Sequence, residues 1–191
     1  MLPGGGSVIK GESLMPGNFD FKNLTAEVRQ HMLAEIDKDM VDGVLVMSKR
    51  FTNDGVAKYP PLLRSAARQH DEAWLADQLI GSFNATELSA GKIKPVPRNA
   101  HTLFAQCEFN RFYCRALCLF ALANPNYGLR VYRARQSAIP RPESEAKLGK
   151  TLDAGIILKD LQDHLAIEVE FGPNEINSGL SLELVPNANA V

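Results

Sequence analysis

Apolar residues recur at helical spacing through the first half of the chain. Between residues 25 and 42 one falls at every fourth position: Val28, Met32, Ile36 and Met40. This spacing predicts an amphipathic helix, which Gly43 would end in a left-handed conformation. A second helical region is predicted over residues 60–80, with a break at His70-Asp71, because Asp71 can cap a new helix.

The middle of the chain changes pattern three times. Residues 44–47 form a short apolar run, which predicts a buried strand. Residues 82–98 are rich in Ser, Asn, Gly and Pro, and we interpret them as a long loop with a local positive charge and a candidate contact surface. Residues 99–123 are apolar nearly all round, which predicts a largely buried central helix. Trp74 is predicted to be a core residue.

The last third of the chain alternates between strand and helix signals. A strand is predicted over residues 129–135, and a helix over residues 154–165 capped by Asp153. Two segments then alternate apolar and polar residues with a period of two; their apolar positions are Ile167, Val169 and Phe171, then Leu180, Leu182 and Leu184. The two segments could pair as a hairpin, or be donated to the sheet edge of a neighbouring subunit.

These elements predict an α+β fold with a mostly helical core and a small sheet. Residues 1–20 hold five glycines and two prolines and are interpreted as an extended N-terminal arm that gains little by packing on its own domain. Residues 21–165 would form the compact domain, and residues 166–191 a C-terminal strand-forming tail.

Composition and charge narrow the classes of protein. The chain has 191 residues, 45% of them hydrophobic, which is enough apolar material for a core. Its 21 basic and 22 acidic residues give a formal net charge of -1, unlike the basic excess of proteins that coat nucleic acid. No apolar stretch is long enough for a membrane span, and the N-terminus lacks a secretory pattern, so we expect a cytosolic origin.

Three cysteines lie on one face of the predicted central helix. Cys107, Cys114 and Cys118 are spaced by seven and four residues. Residues seven apart on a helix are separated by about 10.5 Å along its axis, which is too far for one tetrahedral ion with bonds of about 2.3 Å. We therefore expect no metal and no cofactor, and interpret these cysteines as small apolar residues of the core.

The central helix also carries the candidate site residues, which are Glu108, Asn110, Arg111, Tyr113 and Arg115. Glu108, Arg111 and Arg115 share one face because they are spaced by three and four. They could form an anion-binding or acid–base site, or a partly buried ion-pair network that orients neighbouring elements or meets a partner. The network is the favoured interpretation, because no nucleophile or glycine-rich loop accompanies them. We expect a protein that is not an enzyme.

A basic stripe follows the central helix and comprises Arg130, Arg133, Arg135 and Arg141. Such a stripe is typical of a nucleic-acid or acidic-partner surface. In a strand, however, Arg133 and Arg135 would face one way and Arg130 the other, and two glutamates follow closely, at positions 143 and 145. A solvated or ion-paired strand is favoured over a nucleic-acid contact.

Five runs of the sequence are distinctive together: residues 59–64 (YPPLLR), 70–75 (HDEAWL), 108–118 (EFNRFYCRALC), 131–134 (VYRA) and 141–146 (RPESEA). With these runs the chain resembles a family of uncharacterised proteins encoded by tailed phages and prophages. The resemblance extends over residues 21–165 and brings no catalytic residues with it. It implies a phage origin, and small phage proteins of this kind most often have structural roles in the virion.

The combined expectation is a structural accessory subunit of a tailed-phage particle, either a capsid cement (decoration) protein or a head-completion protein. Its partners would be other virion subunits, namely the major capsid protein or neighbouring copies of itself. It would be made in the host bacterial cytoplasm and reside in the virion. The alternative is a phage-encoded DNA-binding or regulatory protein that uses residues 82–98 and 130–141. A third possibility, an enzyme built around Glu108 and Arg111, is the least favoured.

Overall fold

Six helices and two antiparallel sheets form the fold over residues 18–136, 140–163 and 178–187, the part of the chain that a computed structural model describes. The fold is α+β, as the sequence predicted. The helices are α1 (Ala26–Val41), α2 (Asn53–Gln69), α3 (Glu72–Gln78), α4 (Ala100–Ala123), α5 (Pro142–Glu145) and α6 (Ala154–Asp163). The strands are β1 (Thr86–Ser89), β2 (Lys92–Pro95), β3 (Tyr127–Arg133), β4 (Thr151–Leu152) and β5 (Leu180–Pro186).

Side-chain caps explain where the first three helices begin. Thr25, Thr52 and Asp71 each accept a hydrogen bond from the amide N–H three residues further on, at 3.3, 3.0 and 2.8 Å. Each cap satisfies a backbone donor that the first helical turn leaves without a partner. The first predicted helix is confirmed to within one residue at either end, and the predicted break at His70-Asp71 is confirmed as well.

Helix α2 begins earlier than predicted and contains Pro60 and Pro61 in its interior. A proline removes one hydrogen bond to the carbonyl four residues earlier. Those carbonyls belong to Val56 and Ala57, which are exposed, so water can hydrogen-bond them. The two prolines are therefore tolerated on the outer side of the helix, and the prediction that the helix begins at residue 60 is wrong.

Helix α4 lies at the centre of the core, with α1, α3, α6 and β5 packed against it. Most of its residues are buried all round, as predicted for residues 99–123. Trp74 differs from its prediction as a core residue, because it is only partly buried at the edge of the core. Its ring stacks on the imidazole of His70, with ring centroids 4.1 Å apart.

Strand β3 is the middle strand of a three-stranded antiparallel sheet with the order β4-β3-β5. Val131 lies opposite Leu182 in the register, and the side chains of Leu180 and Leu182 are buried in the core. The segment around residues 180–184 therefore pairs within its own chain and is not donated to a neighbour. The alternating segment at residues 167–171 lies outside the described residues.

Residues 44–47 do not form the predicted buried strand. The amide N–H groups of Val44 and Leu45 both donate to the carbonyl of Asp39, at 2.9 and 3.1 Å, so the chain wraps around the end of α1. Val44 and Met47 are exposed. The apolar run was too short to distinguish a strand from a helix-terminating turn.

The N-terminal boundary of the compact domain lies earlier than predicted. The amide of Phe19 donates to the Glu72 carboxylate at 2.6 Å, and the amide of Asp20 donates to the Ala134 carbonyl at 2.8 Å. The ring of Phe21 packs on two aromatic rings of α4, with centroids 4.7 and 5.2 Å away. The predicted arm over residues 1–20 therefore ends before Phe19, and residues 1–17 lie outside the described part of the chain.

Candidate functional site

Two features could carry function: a set of charged residues in the core and an exposed hairpin. The first, named here the buried charge cluster, comprises Glu35, Asp39, Glu108, Arg111 and Arg115. All five residues are more than nine-tenths buried. Ionised side chains are rarely buried to this extent unless they are paired, so their contacts decide what they can do.

Arg115 of α4 binds two carboxylates of α1. Its two terminal nitrogens donate to the two oxygens of Asp39 at 2.7 and 2.8 Å, and its Nε donates to Glu35 at 2.7 Å. Burial would lower the pKa of Arg115, but the two carboxylates outweigh that effect and raise it. The two-pronged geometry of the Arg115–Asp39 pair fixes the rotation of α1 against α4.

Glu35 also contacts a third helix. The side-chain amide of Gln162, in α6, donates to the Glu35 carboxylate at 2.8 Å. The same oxygen therefore accepts from α4 and from α6. This arrangement ties the three helices together through one buried carboxylate.

Sequence reasoning missed Glu35 and Asp39, although a signal for them exists. They lie four residues apart, and with Val28, Met32 and Ile36 they occupy the buried stripe of α1. Two carboxylates inside an apolar stripe require a buried cation as partner. Arg111 and Arg115, four residues apart on one face of the central helix, are the candidates for that cation.

Glu108 and Arg111 form a second pair one turn earlier on α4. A terminal nitrogen of Arg111 lies 2.5 Å from the Glu108 carboxylate, and the hydroxyl of Tyr59 donates to the same oxygen at 3.4 Å. Burial raises the pKa of Glu108, and Arg111 opposes that shift. Burial, reinforced by the nearby Glu108, also raises the pKa of the Tyr59 hydroxyl well above its usual value.

The ring of Phe112 lies near both arginines. The guanidinium carbons of Arg111 and Arg115 each lie 5.0 Å from its centroid, a distance suited to cation–π attraction. Carboxylates and rings within the protein thus contact both cations. These contacts favour the ion-pair network over the anion-binding or acid–base site that the sequence left open.

Asn110 and Tyr113, the two other predicted residues of α4, hold neighbouring segments. The Asn110 amide donates to the carbonyl of Leu180 at 3.0 Å and accepts from the hydroxyl of Ser181 at 2.6 Å. The Tyr113 hydroxyl accepts from the amide of Asn23 at 3.0 Å. These residues therefore attach β5 and the N-terminal segment to the central helix.

Two arginines of the basic stripe are paired within the chain. Arg130 contacts the carboxylate of Glu183 at 2.9 Å. Arg133 forms an ion pair with Glu145 and also donates to the carbonyl of Ser178 at 2.9 Å. Ion pairing of these strand arginines was the favoured prediction, and the contacts support it.

Arg135 does not share a strand face with Arg133, so that prediction is wrong. Strand β3 ends at Arg133, and the Arg135 amide donates to the Gly179 carbonyl at 3.0 Å. The Arg135 side chain is buried, its guanidinium lies 5.5 Å from the ring centroid of Phe19, and burial lowers its pKa. Arg141, by contrast, is exposed at the start of α5. The four arginines therefore do not form one continuous basic surface.

The cysteines of α4 are packed into the protein. Cys114 and Cys118 are buried, and Cys107 is partly buried. Burial raises the pKa of Cys107 and of Cys114 to about 12, and raises that of Cys118 well above its usual value. Within the described ranges, no group of three or more His, Cys, Asp or Glu side chains could hold a metal ion. The absence of bound metal stays a prediction.

The three thiols are expected to react slowly with a disulfide reagent while the protein is folded. At about pH 8, a thiol with a pKa of about 12 is ionised in only about one molecule in ten thousand, and the thiolate is the nucleophile. A reagent that releases a coloured thiol measures the rate in native protein and in guanidinium. Fast reaction of the native protein, or about one zinc per chain by elemental analysis, would contradict this description of the cysteines.

The second feature is a β-hairpin in the region predicted as a loop. Strands β1 and β2 pair antiparallel, with Leu88 opposite Ile93, and we name residues 86–95 the contact hairpin. Ala90 and Gly91 connect the strands with φ angles of 49° and 73°. Two positive φ angles are typical of a type I′ turn, whose twist matches that of the paired strands. The prediction of a loop over residues 82–98 is therefore wrong for residues 86–95.

The contact hairpin differs from an ordinary sheet in exposing its apolar face to solvent. Its polar face includes Glu87, which Arg50 binds through two nitrogens at 2.7 and 2.8 Å. Its apolar face carries Leu88 and Ile93, which are 76% and 78% exposed. Sheets normally bury their apolar face against the core. Here the apolar face is directed away from the protein body.

Basic groups lie on the other face of the contact hairpin. Lys94 is paired with Glu87 and Lys92 with Ser89, so both lysines are on the polar face, because neighbouring residues of a strand point to opposite faces. Both are exposed, as is Arg98 just beyond the hairpin. Glu87, the acidic residue of the contact hairpin, is bound by Arg50. The hairpin therefore presents aliphatic side chains on one face and exposed lysines on the other.

No described helix is long and apolar enough to cross a membrane. No protein-family model matches the chain, and neither does any curated protein or any solved structure.

Proposed function

We propose that this chain is a non-enzymatic structural subunit that acts through subunit–subunit contacts, with the contact hairpin as its main contact element. The exposure of Leu88 and Ile93 on the outward face of that hairpin carries the proposal. Full burial of two such side chains contributes about 1.5–3 kcal/mol each. Within the described part of the chain this contribution is not realised, and a partner surface would supply it.

The marginal stability of a two-stranded hairpin supports the same proposal. An isolated hairpin is at best marginally stable in water, and a third strand or a packed face normally completes it. The contact hairpin is held at its base, where Phe83 packs on Phe51 with ring centroids 4.7 Å apart, and by the pair between Arg50 and Glu87. Its outer half would become ordered most fully against another subunit.

The buried charge cluster is consistent with a structural role. The carboxylates of Glu35 and Asp39 are engaged with Arg115, and the carboxylate of Glu108 with Arg111. Charged groups that could have served an acid–base reaction thus contribute to the packing of α1 and α6 on α4. This assignment makes adhesion, rather than chemistry, the function that the geometry favours.

The sequence resemblance supplies the kind of assembly. We propose a tailed-phage particle, with the chain as a capsid cement or head-completion subunit. Its partners would be the major capsid protein or neighbouring copies of itself. A projecting hairpin with an apolar face suits this role, because it can dock on a neighbouring subunit without unfolding the core.

DNA binding remains the second candidate, because Lys92, Lys94 and Arg98 are exposed together at and beside the contact hairpin. Arg130 and Arg133 add little to it, since both are paired with glutamates. Three phosphate contacts would give an affinity whose logarithm falls with that of salt concentration at a slope of about -3. A salt titration of DNA binding measures that slope directly.

Protein mass spectrometry of purified particles tests the proposal. Particles would be collected after induction of the source strain and separated from free protein on a density gradient. We expect this chain to sediment with the particles at a fixed copy number relative to the major capsid protein. Its confinement to the free-protein fraction would rule out the structural role.

A further inference from the structure

We propose that the contact hairpin takes residues 166–171 of a second copy of this chain as an added strand along the open edge of β2. This inference rests on the proposed function and names the partner for its main contact element. On β2 the sequence is Lys92-Ile93-Lys94, and in the segment it is Glu168-Val169-Glu170. The pattern is complementary in either strand direction, with the apolar residues side by side and each lysine beside a glutamate.

The backbone pattern leaves β2 able to accept a strand. The Val96 amide donates to the Ala85 carbonyl at 2.9 Å, and hydrogen-bonded pairs alternate with non-bonded pairs along an antiparallel ladder. The pair Leu88–Ile93 is therefore a non-bonded one, so the N–H and C=O of Ile93 point to the outer edge. Over the described residues, β2 pairs with β1 alone. The edge can therefore bond an incoming strand beside its one large apolar residue.

Charge selects β2 over the other edge of the hairpin. An acidic strand beside β2 would lie next to Lys92 and Lys94, and opposite charges on adjacent strands attract. The same strand beside β1 would lie next to Glu87, whose carboxylate is already engaged by Arg50. Pro95 has no N–H, which limits the added pairing to the few residues around Ile93.

The identity of the strand follows from the alternating segments of the sequence. Two segments alternate apolar and polar residues near the C-terminus, and the second of them is β5, which already pairs with β3. The first, residues 166–171, lies outside the described residues and alternates Ile167, Val169 and Phe171 with two glutamates. It therefore carries both the apolar and the acidic side chains that the open edge requires.

A second copy is the occupant that the proposed function requires, because a subunit that acts through subunit–subunit contacts must offer its hairpin to another chain. Pairing between copies depends on protein concentration, whereas pairing with the chain's own segment does not. A measurement over a range of concentrations therefore separates the two.

Charge reversal tests the pairing. The variants are Lys92→Glu/Lys94→Glu, Glu168→Lys/Glu170→Lys and the combination of all four changes, measured by sedimentation velocity over a range of concentrations. We expect self-association of the natural chain, at least about tenfold weaker association of either double variant, and recovery in the combined variant. Arg68→Glu, a charge reversal at an exposed position of α2, serves as the matched control and should leave association unchanged.

A peptide assay separates direct binding from an indirect effect. A fluorescein-labelled peptide of residues 164–173 should bind the natural chain with saturable anisotropy and should bind Lys92→Glu/Lys94→Glu at least about tenfold more weakly. Thermal unfolding of each variant confirms that the fold is kept. A natural chain that stays monomeric up to about 1 mM would overturn the inference, whether or not it binds the peptide. A combined variant without recovery would overturn it as well.

The outcomes distinguish this inference from the proposed function. If the chain sediments with particles but the charge-reversed variants are incorporated normally, the pairing is wrong and the structural role stands. If the lysine variants lose DNA binding while the natural chain does not self-associate, the hairpin is a nucleic-acid contact, which overturns the pairing. If the natural chain self-associates through the hairpin but is absent from particles, the pairing stands and the virion role fails.

Discussion

Replacing Arg115 with methionine is expected to lower the free energy of unfolding by about 3–5 kcal/mol. The change keeps most of the side-chain volume but removes the cation that binds Glu35 and Asp39. Both carboxylates would then be buried without a charged partner. The free-energy cost of a buried unpaired charge is far larger than the net stability that the intact ion pair contributes. Chemical denaturation, with the midpoint and slope fitted for both proteins, measures the loss.

Two further variants make this measurement specific. Arg64→Met removes an arginine that pairs with Asp37 on the exposed outer side of α1 and α2, where a surface ion pair contributes at most about 1 kcal/mol. Combining Arg115→Met with Glu35→Leu and Asp39→Leu should recover most of the loss, because no charge then remains buried alone. A loss below about 1 kcal/mol for Arg115→Met itself would show that the cluster does not hold the helices together.

Deleting residues 1–20 is expected to lower the free energy of unfolding by about 2–4 kcal/mol, whereas deleting residues 1–17 should change it by less than about 0.5 kcal/mol. The longer deletion removes the stacked ring of Phe19, 5.3 Å from that of Phe21, and the amide that donates to the buried Glu72. It also removes the Asp20 carbonyl that accepts from Tyr132.

The pH dependence of the longer deletion follows from the same contact. Burial raises the pKa of Glu72, and the amide of Phe19 opposes that shift by hydrogen-bonding the carboxylate. A carboxyl whose pKa is raised by folding contributes stability below its unfolded pKa, and that contribution is lost as the pH rises through the folded pKa. Losing Phe19 should raise the folded pKa further, so the deletion should be more damaging near neutral pH than near pH 4. Thermal unfolding of both truncations at the two pH values measures this, and equal losses for the two truncations would contradict the anchoring contacts.

The helices were predictable from the sequence because local signals and burial agree there. Thr25 and Asp71 cap helices whose apolar residues recur at helical spacing, and α4 is apolar nearly all round. Its burial and its charged face at Glu108, Arg111 and Arg115 followed from spacing alone. The spacing did not reveal that Glu35 and Asp39 of α1 are the partners of Arg115. Which residues pair across two helices depends on how the helices pack together, and neither helix's sequence shows this by itself.

The contact hairpin was not predictable, for a physical reason. Each strand has four residues, and the turn uses Ala90-Gly91 instead of the Asn-Gly or Asp-Gly pair that identifies such turns. The alternation of Leu88 and Ile93 with charged neighbours is present in the sequence but short, and loop-forming residues surround it. For residues 44–47 the opposite error occurred: a strand was predicted and none forms there. A short apolar run does not by itself determine whether a segment is a strand or a turn.

The central claim is that Leu88 and Ile93 form the contact through which this chain joins a particle. Co-expressing the natural chain, labelled with heavy isotopes, and a Leu88→Ser/Ile93→Ser variant during particle production allows mass spectrometry to count both in the same purified particles. Ile80→Ser/Ile156→Ser, which changes two other exposed aliphatic residues, is the matched control. We predict normal incorporation of the control and at least about tenfold depletion of the hairpin variant, since two buried aliphatic contacts are lost. Equal incorporation of the hairpin variant and the natural chain would contradict the claim.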